Sequence, residues 1–410
     1  MKAKVNISLL FTLVVLCEIY IVSFRINLLI QFAFLSLLLF SGKTQFSKSF
    51  LRTILPVIIL VFLGFLGTFL DSYNRVDIIK DISHFIKPVF VLCIGFLVFK
   101  TINDQRVFLR TIIHIAAVTA VIHVGGIVLF SNFLSRSISD IRGEYGLDNF
   151  IEIFAMFFLI LAPKTAIQPL YKKDIYRKML IAIFAVSIMF YFSRTMFGMI
   201  FFLGLSFYGY AKLNRKTLKV LGVFIASIVL FYMYLETLKP ERNSKGIEAL
   251  LYKIKIAPGE VFNAKLDRSN HTKLWDHWRA YEAKRALILM NENPKSYVFG
   301  NGHGSLVNLK FKAPLSEEGM RYISVLHNGY IFVLYKTGFV GLLLYLFFLV
   351  SLYGRNYHNQ TQSDKVFFKI IVATIGAYFL FTSLIITGIY IPQDAILFIL
   401  GGALFHENKS

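Results

Sequence analysis

The chain has 410 residues, of which 56% are hydrophobic and 16% aromatic, and only 16% carry a charge, against about a quarter in an ordinary soluble domain. Its formal net charge is +21, from 44 Lys and Arg against 23 Asp and Glu. In a soluble protein that would indicate nucleic acid, but here it fits the Lys- and Arg-rich inner loops of a membrane protein, and no nucleic-acid partner is expected.

The apolar residues lie in continuous runs of roughly 15 to 23 residues, the length that crosses the hydrocarbon of a bilayer. Only helices and closed barrels satisfy their backbone groups inside lipid, and unbroken rather than alternating runs select helices. Lys2 and Lys4 precede the first run like the start of a signal peptide, but no small-x-small cleavage site follows, so the run reads as a first membrane helix. The expected spans are 7–24, 27–41, 51–70, 84–99, 107–130, 149–167, 179–193, 196–211, 217–235, 329–353, 367–387 and 391–406. Cys17 and Cys93 both fall within these runs and give no disulfide framework or metal spacing.

With the N-terminus inside, the inner segments hold 21 Lys and Arg and the short outer loops seven: Arg25, Arg75, Lys80, Lys87, Arg136, Arg142 and Arg194. That bias fixes the orientation. Both termini are then cytoplasmic, and the segment after the ninth helix is outside. The expected fold is an all-α polytopic membrane protein of about twelve transmembrane helices. Helices one to nine occupy 1–235, one large periplasmic loop with short helices occupies 236–326, and helices ten to twelve occupy 327–410. No internal repeat is visible. A transporter of two six-helix halves would place its long loop centrally and on the cytoplasmic side.

Within the loop, residues 236–272 are polar and mixed, with Pro240 and Pro258. Residues 275–291 read as a helix, with Asp276 placed to cap it and Glu292-Asn293-Pro294 ending it. A Gly-rich turn (299–306) and a polar stretch lead to re-entry into the membrane at 327–350.

No DxD or ExD pair occurs in an outer loop, and Glu317-Glu318 is the nearest approach. No metal and no cofactor are therefore expected. Gly300-Asn301-Gly302-His303-Gly304 lacks the Lys-Ser/Thr of a phosphate loop; it reads as a structural turn or the flexible edge of a site. His114 and His123 are nine residues apart in one helix, hence on opposite faces. His271, His277 and His303 lack zinc spacing. His327, beside Asn328 where the loop meets the bilayer, fits either an interfacial anchor or a base. Arg194 fits a snorkelling anchor or an anion donor. Arg279, one turn from Glu282, fits a plain intrahelical pair or an anion donor. Arg285 lies on another face, near Trp278 and Tyr281. Arg142, in the loop after the fifth helix, fits a solvated charge.

These residues make sense as a set. A diphosphate at a membrane surface needs planar, permanently charged donors, which arginine supplies. A sugar hydroxyl needs a base that is neutral near pH 7, which histidine supplies. Trp275 and Trp278, the only two tryptophans, offer flat apolar faces to a sugar ring. The outer side thus holds the parts for metal-free glycosyl transfer from a lipid diphosphate. A transporter of lipid-linked sugars would instead need ionisable residues in mid-helix, and His114, His123, Glu152 and Lys336 are the few candidates.

At these positions the chain resembles the O-antigen ligase and polymerase superfamily of bacterial membrane glycosyltransferases. The likeness rests on Ser193-Arg194-Thr195, on Arg279-Ala280-Tyr281-Glu282 running through Asn293-Pro294 to Phe299-Gly300-Asn301-Gly302, and on His327-Asn328 followed by Leu334, Gly338 and Gly341-Leu342. The resemblance implies a C-type glycosyltransferase of the inner membrane whose donor is an undecaprenyl-diphosphate-linked oligosaccharide. It implies an acceptor-activating role for His327 and diphosphate binding by Arg194 and Arg279, with Arg142 a looser addition. Trp275, Trp278 and Asn328 would then face the sugar or the acceptor. Expected partners are the bilayer and the chain-length regulator and flippase proteins of the same process. The wording LYKTGFVGLLLY after His327 leans toward a repeat-unit polymerase over a ligase.

Overall fold

The structure, a computed structural model, describes residues 2–41, 45–130, 145, 147, 149–161, 170–171, 173–191, 193–210, 212, 214–241, 247–262, 271–314, 319–357 and 363–408. Each apolar run coincides with a helix. The first nine are α1 (Lys2–Tyr20), α2 (Phe24–Phe40), α3 (Lys48–Thr68), α4 (Arg75–Ile102), α5 (Gln105–Phe130), α6 (Ile151–Leu161), α7 (Asp174–Phe190), α8 (Arg194–Phe207) and α9 (Arg215–Leu238). The long segment contributes α10 (Ile247–Phe262), α11 (His271–Asp276), α12 (Trp278–Glu292), α13 (Ser296–Phe299) and two strands, β1 (Val307–Ala313) and β2 (Met320–Ile323). The chain ends on α14 (Gly329–Tyr353), α15 (Ser363–Ile385) and α16 (Ile396–Glu407). Among the described residues six helices are long and apolar enough to cross a membrane: α3, α4, α5, α9, α14 and Lys365–Ile385 of α15. Five others, including α6, α8 and α16, are shorter apolar helices. The protein is a multi-pass, overwhelmingly helical membrane protein.

Local chemistry sets the helix starts. The side chains of Ser47, Asn74, Asn214 and Asn328 each accept a hydrogen bond from a first-turn backbone N–H, satisfying donors that a helix start leaves orphaned. At the centre α16 crosses α4 through small residues. A Cβ on Gly95 would lie 2.3 Å from Phe398 O, and one on Gly401 2.3 Å from Leu92 O. Such close backbone approach is how helices gain packing in lipid, where hydrophobic burial supplies little drive.

The structure corrects several expectations. The fourth helix begins at Arg75 rather than near 84, because its polar residues find partners inside the protein. Lys87, counted with an outer loop, is buried and bonds Glu18 and the carbonyl of Pro392. The 236–272 region, read as polar and mixed, contains α10. Its Ile247, Leu250, Leu251 and Ile254 have i, i+3, i+4, i+7 spacing, and the helix continues past Pro258. The polar stretch before re-entry forms an antiparallel hairpin, Val307 opposite Ile323 and Asn308 opposite Tyr322. In β1 Val307, Leu309 and Ala313 are buried while Lys310 and Lys312 are exposed, the period of two expected of a strand. Asp276, placed to cap the loop helix, instead ends α11 and accepts from Tyr252 Oη at 2.8 Å.

The Gly-rich turn is a structural turn, hydrogen-bonded on both sides. It plugs a break in α14, where Gly338 has φ 68° and ψ −171°. The break frees carbonyls, and the turn's N–H groups take them: Asn301 N–H donates to Tyr335 O at 2.8 Å, and Gly302 N–H to Lys336 O at 3.0 Å. Irregular backbone at this depth is tolerated when protein satisfies it. On the other side the turn seats against α3. His303 N–H donates to Gly64 O at 3.1 Å, Nε2 bonds Val61 O at 2.9 Å, and Thr68 Oγ1 donates to His303 O at 3.0 Å. Gly338→Ala is expected to cost roughly 1–3 kcal/mol, because its φ is left-handed and a Cβ would meet Val298 O at 2.1 Å. Thermal unfolding of the detergent-solubilised protein checks this.

Asp81 locks the same joint. Its Oδ2 accepts from Gly304 N–H at 2.6 Å and from Lys336 Nζ, its Oδ1 accepts from Ser324 Oγ, and Lys336 also donates to Ser305 O. Asp81 and Lys336 are both fully buried. Lys336, weighed above as a transport residue, is therefore consumed by an internal ion pair. Glu152 is likewise held, accepting from Thr119 Oγ1 at 3.0 Å and Tyr191 Oη at 3.3 Å. His114 is exposed and His123 buried, on opposite faces as the spacing requires.

Candidate functional site

The site is organised by α12. Arg279 and Glu282 are three residues apart on it, so they project from one face, one above the other. Each reaches a different partner, and the two partnerships define two adjacent subsites.

The first centres on His327, at the exit of the loop just before α14. Asn328 fixes this exit. Its Oδ1 accepts from Ile331 N–H at 3.0 Å and its Nδ2 donates to Leu384 O at 3.2 Å. Each end of the amide thus makes one bond that fixes the backbone here. His327 then sits over Glu282. The backbone N–H of His327 donates to Glu282 Oε2 at 2.9 Å, and Nδ1 lies 2.9 Å from Oε2 and 3.1 Å from Oε1. A carboxylate is acceptor-only, so Nδ1 is the donor in this contact, which leaves Nε2 as the ring nitrogen not engaged by Glu282. The Glu282 side chain is 2% exposed and that of His327 is 47% exposed. A buried acid thus orients a ring whose free nitrogen is on the open side, the arrangement of a general base and its orienter.

The second subsite joins Arg279 to Arg194. Arg194 opens α8, a short apolar helix, directly after Ser193. Glu260, on the last turn of α10, lies between them. Its Oε1 accepts from Arg194 Nη2 at 2.8 Å, and its Oε2 accepts from Arg194 Nη2 and Arg279 Nη1, both at 3.1 Å. Arg194 also donates to Lys253 O. Two guanidinium groups from distant segments thus converge on one anion, Arg194 through Nη2 to both carboxylate oxygens and Arg279 through Nη1 to one, as charge-assisted hydrogen bonds of the kind arginine gives carboxylate and phosphate alike.

The structure therefore brings together Arg194, Arg279 and His327, through Glu260 and Glu282. The remaining sequence-predicted residues fare differently. Trp278 is buried, its ring packed among Trp275 (centroids 4.8 Å apart), Tyr281 and Phe311, so it builds the loop's own core rather than offering an open face to a sugar. Trp275 is the more exposed of that stacked pair. Arg142 lies outside the described residues, as do Glu317 and Glu318. Arg285 donates from Nε to Asn308 O at 2.9 Å and Tyr281 Oη bonds Leu309 O, tying α12 to β1.

Two functional residues escaped sequence reasoning. Glu282 was visible as the i+3 neighbour of Arg279, but that spacing fits an intrahelical pair equally well. Nothing in the sequence marks Glu260 as the shared partner of two arginines.

A multi-pass membrane protein with a carboxylate-oriented histidine beside an arginine pair that holds an anion has the parts of a group-transfer enzyme. Comparison narrows this class: residues 179–346 match the family model described as O-antigen ligase. That match supports the O-antigen ligase/polymerase superfamily, whose members are glycosyltransferase-like enzymes. The matched segment contains Arg194, Glu260, Arg279, Glu282 and His327. No curated protein and no solved structure matches the chain.

Proposed function

We propose that the protein is an envelope polysaccharide polymerase of the bacterial inner membrane. In this reading it transfers an undecaprenyl-diphosphate-linked glycan to a sugar hydroxyl of another lipid-linked repeat unit, and the loop faces the periplasm. The observation that carries the reading is the placement of Arg279 and Glu282 on one face of α12. The donor's diphosphate and the acceptor's base are then a helical turn apart.

The chemistry follows from that spacing. The lipid tail lies among membrane helices, and Arg194 and Arg279 hold the diphosphate. His327 Nε2 takes the proton of the acceptor hydroxyl, and Glu282 stabilises the imidazolium that results. The acceptor oxygen attacks C1 of the donor sugar from the face opposite the diphosphate. The C1–O bond breaks, its electron pair passes to the diphosphate, and the arginines hold the growing charge. The product is inverted at C1, and undecaprenyl diphosphate leaves.

Lysine has the charge but not the planar guanidinium with its five fixed donors. Arg194→Lys and Arg279→Lys are therefore expected each to cut transfer about tenfold to a hundredfold, in assays of membranes with matched protein levels.

The wording after His327 leans toward a polymerase. The description of the matched family favours a second reading, a ligase that hands the glycan to a lipid A core sugar. Both use the same donor chemistry. A deletion strain separates them: glycolipids carrying a single repeat mark a polymerase, and complete loss of decorated core marks a ligase. An unchanged glycolipid ladder would contradict both.

A further inference from the structure

We propose that Glu260 is a built-in competitor for the donor. It is an intrachain carboxylate that occupies the Arg194–Arg279 pair and must be displaced before a diphosphate binds. The inference rests on the reading of that pair as the diphosphate site.

Three observations carry it. The first is the bridging itself: one carboxylate spans both guanidinium groups with three contacts of 2.8–3.1 Å. Two cations held this close require an anion between them, and Glu260 supplies it with a side chain 13% exposed. The second is where Glu260 sits. It follows Pro258-Gly259 near the C-terminal end of α10, and these are the residues that least favour a continuous helix. The third is that the body of α10 is fastened independently. Tyr232 Oη donates to Ile254 O at 2.7 Å, Tyr252 Oη to Asp276 at 2.8 Å, and Lys255 pairs with Glu236 at 3.0 Å. The last turn of α10 can thus swing Glu260 off the arginines while the rest of the helix stays in place. Gly259 makes the closed position possible, because a Cβ there would lie 2.6 Å from the ring of His277.

The consequence is a threshold. A ligand that needs the open form binds more weakly by the fraction of time the site is open. A weakly held anion then fails to occupy the site, whereas a diphosphate, with more charge and more oxygens than a carboxylate, displaces Glu260. After transfer Glu260 recaptures the arginines and helps to expel the diphosphate product.

The test is binding of inorganic pyrophosphate to the purified full-length protein and to Glu260→Gln, Glu260→Asp and Arg194→Ala. Glu260→Gln is expected to bind about tenfold tighter than wild type, as for a site open about a tenth of the time. Glu260→Asp, whose shorter arm spans the pair less well, is expected to gain less in the same direction, and it serves if the first variant does not fold. Arg194→Ala is expected to bind more weakly than wild type. If Arg194→Ala weakens binding while neither Glu260 variant tightens it, Glu260 is a structural partner and the competitor proposal falls alone. If wild type and Arg194→Ala bind pyrophosphate equally, the diphosphate reading of the arginines falls and the competitor with it.

Discussion

Replacing His327 with alanine is expected to lower glycan transfer about 10²–10⁴-fold, the usual worth of a general base, with the amount of folded protein unchanged. The side chain is nearly half exposed, and the backbone N–H of His327 keeps its bond to Glu282 when the ring is gone, so the loop exit should stay joined to α12. Glu282→Gln makes a finer test. Glu282 accepts from both the backbone N–H and the Nδ1–H of His327. A glutamine has one acceptor oxygen for two donors, and its amide meets one of them donor to donor. The ring then loses its fixed tautomer and direction. Transfer should fall by roughly 10-fold to 10²-fold, less than for loss of the base itself. Turnover by Glu282→Gln at the wild-type rate would show that the carboxylate has no part in orienting the base.

The second large effect concerns stability. Removing one member of a buried ion pair leaves a charge uncompensated and costs about 3–5 kcal/mol. Lys336→Met should therefore unfold at markedly lower temperature in detergent. Asp81 would keep only Gly304 N–H and Ser324 Oγ as donors, in a site closed to water. Asp81→Asn strands Lys336 in the same way. The double variant Asp81→Asn/Lys336→Met carries no charge there and should recover most of the loss, giving strong coupling in a double-mutant cycle. Additive losses in the cycle would mean that the two residues act separately. Activity should follow stability here, because this joint pins the Gly-rich turn to α3 and α14 and so fixes the end of the loop that carries α12.

Much of this was legible in the sequence, for identifiable reasons. A bilayer demands continuous apolar runs, so every one of the twelve runs marked a helix. His327 stood out because it is polar and lies where the chain re-enters lipid. Arg194 and Arg279 stood out because their motifs lie at the ends of elements. What failed depended on partners remote in sequence. Glu260 lies 66 residues from Arg194 and 19 from Arg279, and no local pattern announces that it joins them. Asp81 fell outside the expected fourth span, 84–99, whereas in the structure it is buried against Lys336, 255 residues away. The Gly-rich turn was visible as a turn, but not the notch that receives it. That notch needs Gly64 and Gly67 on α3, where added Cβ atoms would strike His303 and Gly302. The hairpin and α10 lie in segments read only as polar, although each carries the periodicity of its element. Trp278 misled because an aromatic in a loop suits a sugar platform as well as a small core.

The most direct measurement is transfer by the purified protein in lipid vesicles, supplied only with undecaprenyl-diphosphate-linked repeat units. Wild type should release undecaprenyl diphosphate in step with lengthening glycan, and His327→Ala should release almost none. Equal release by the two proteins, or no release by wild type while the lipid-linked glycan crosses the bilayer intact, would contradict the assignment of this site to glycosyl transfer.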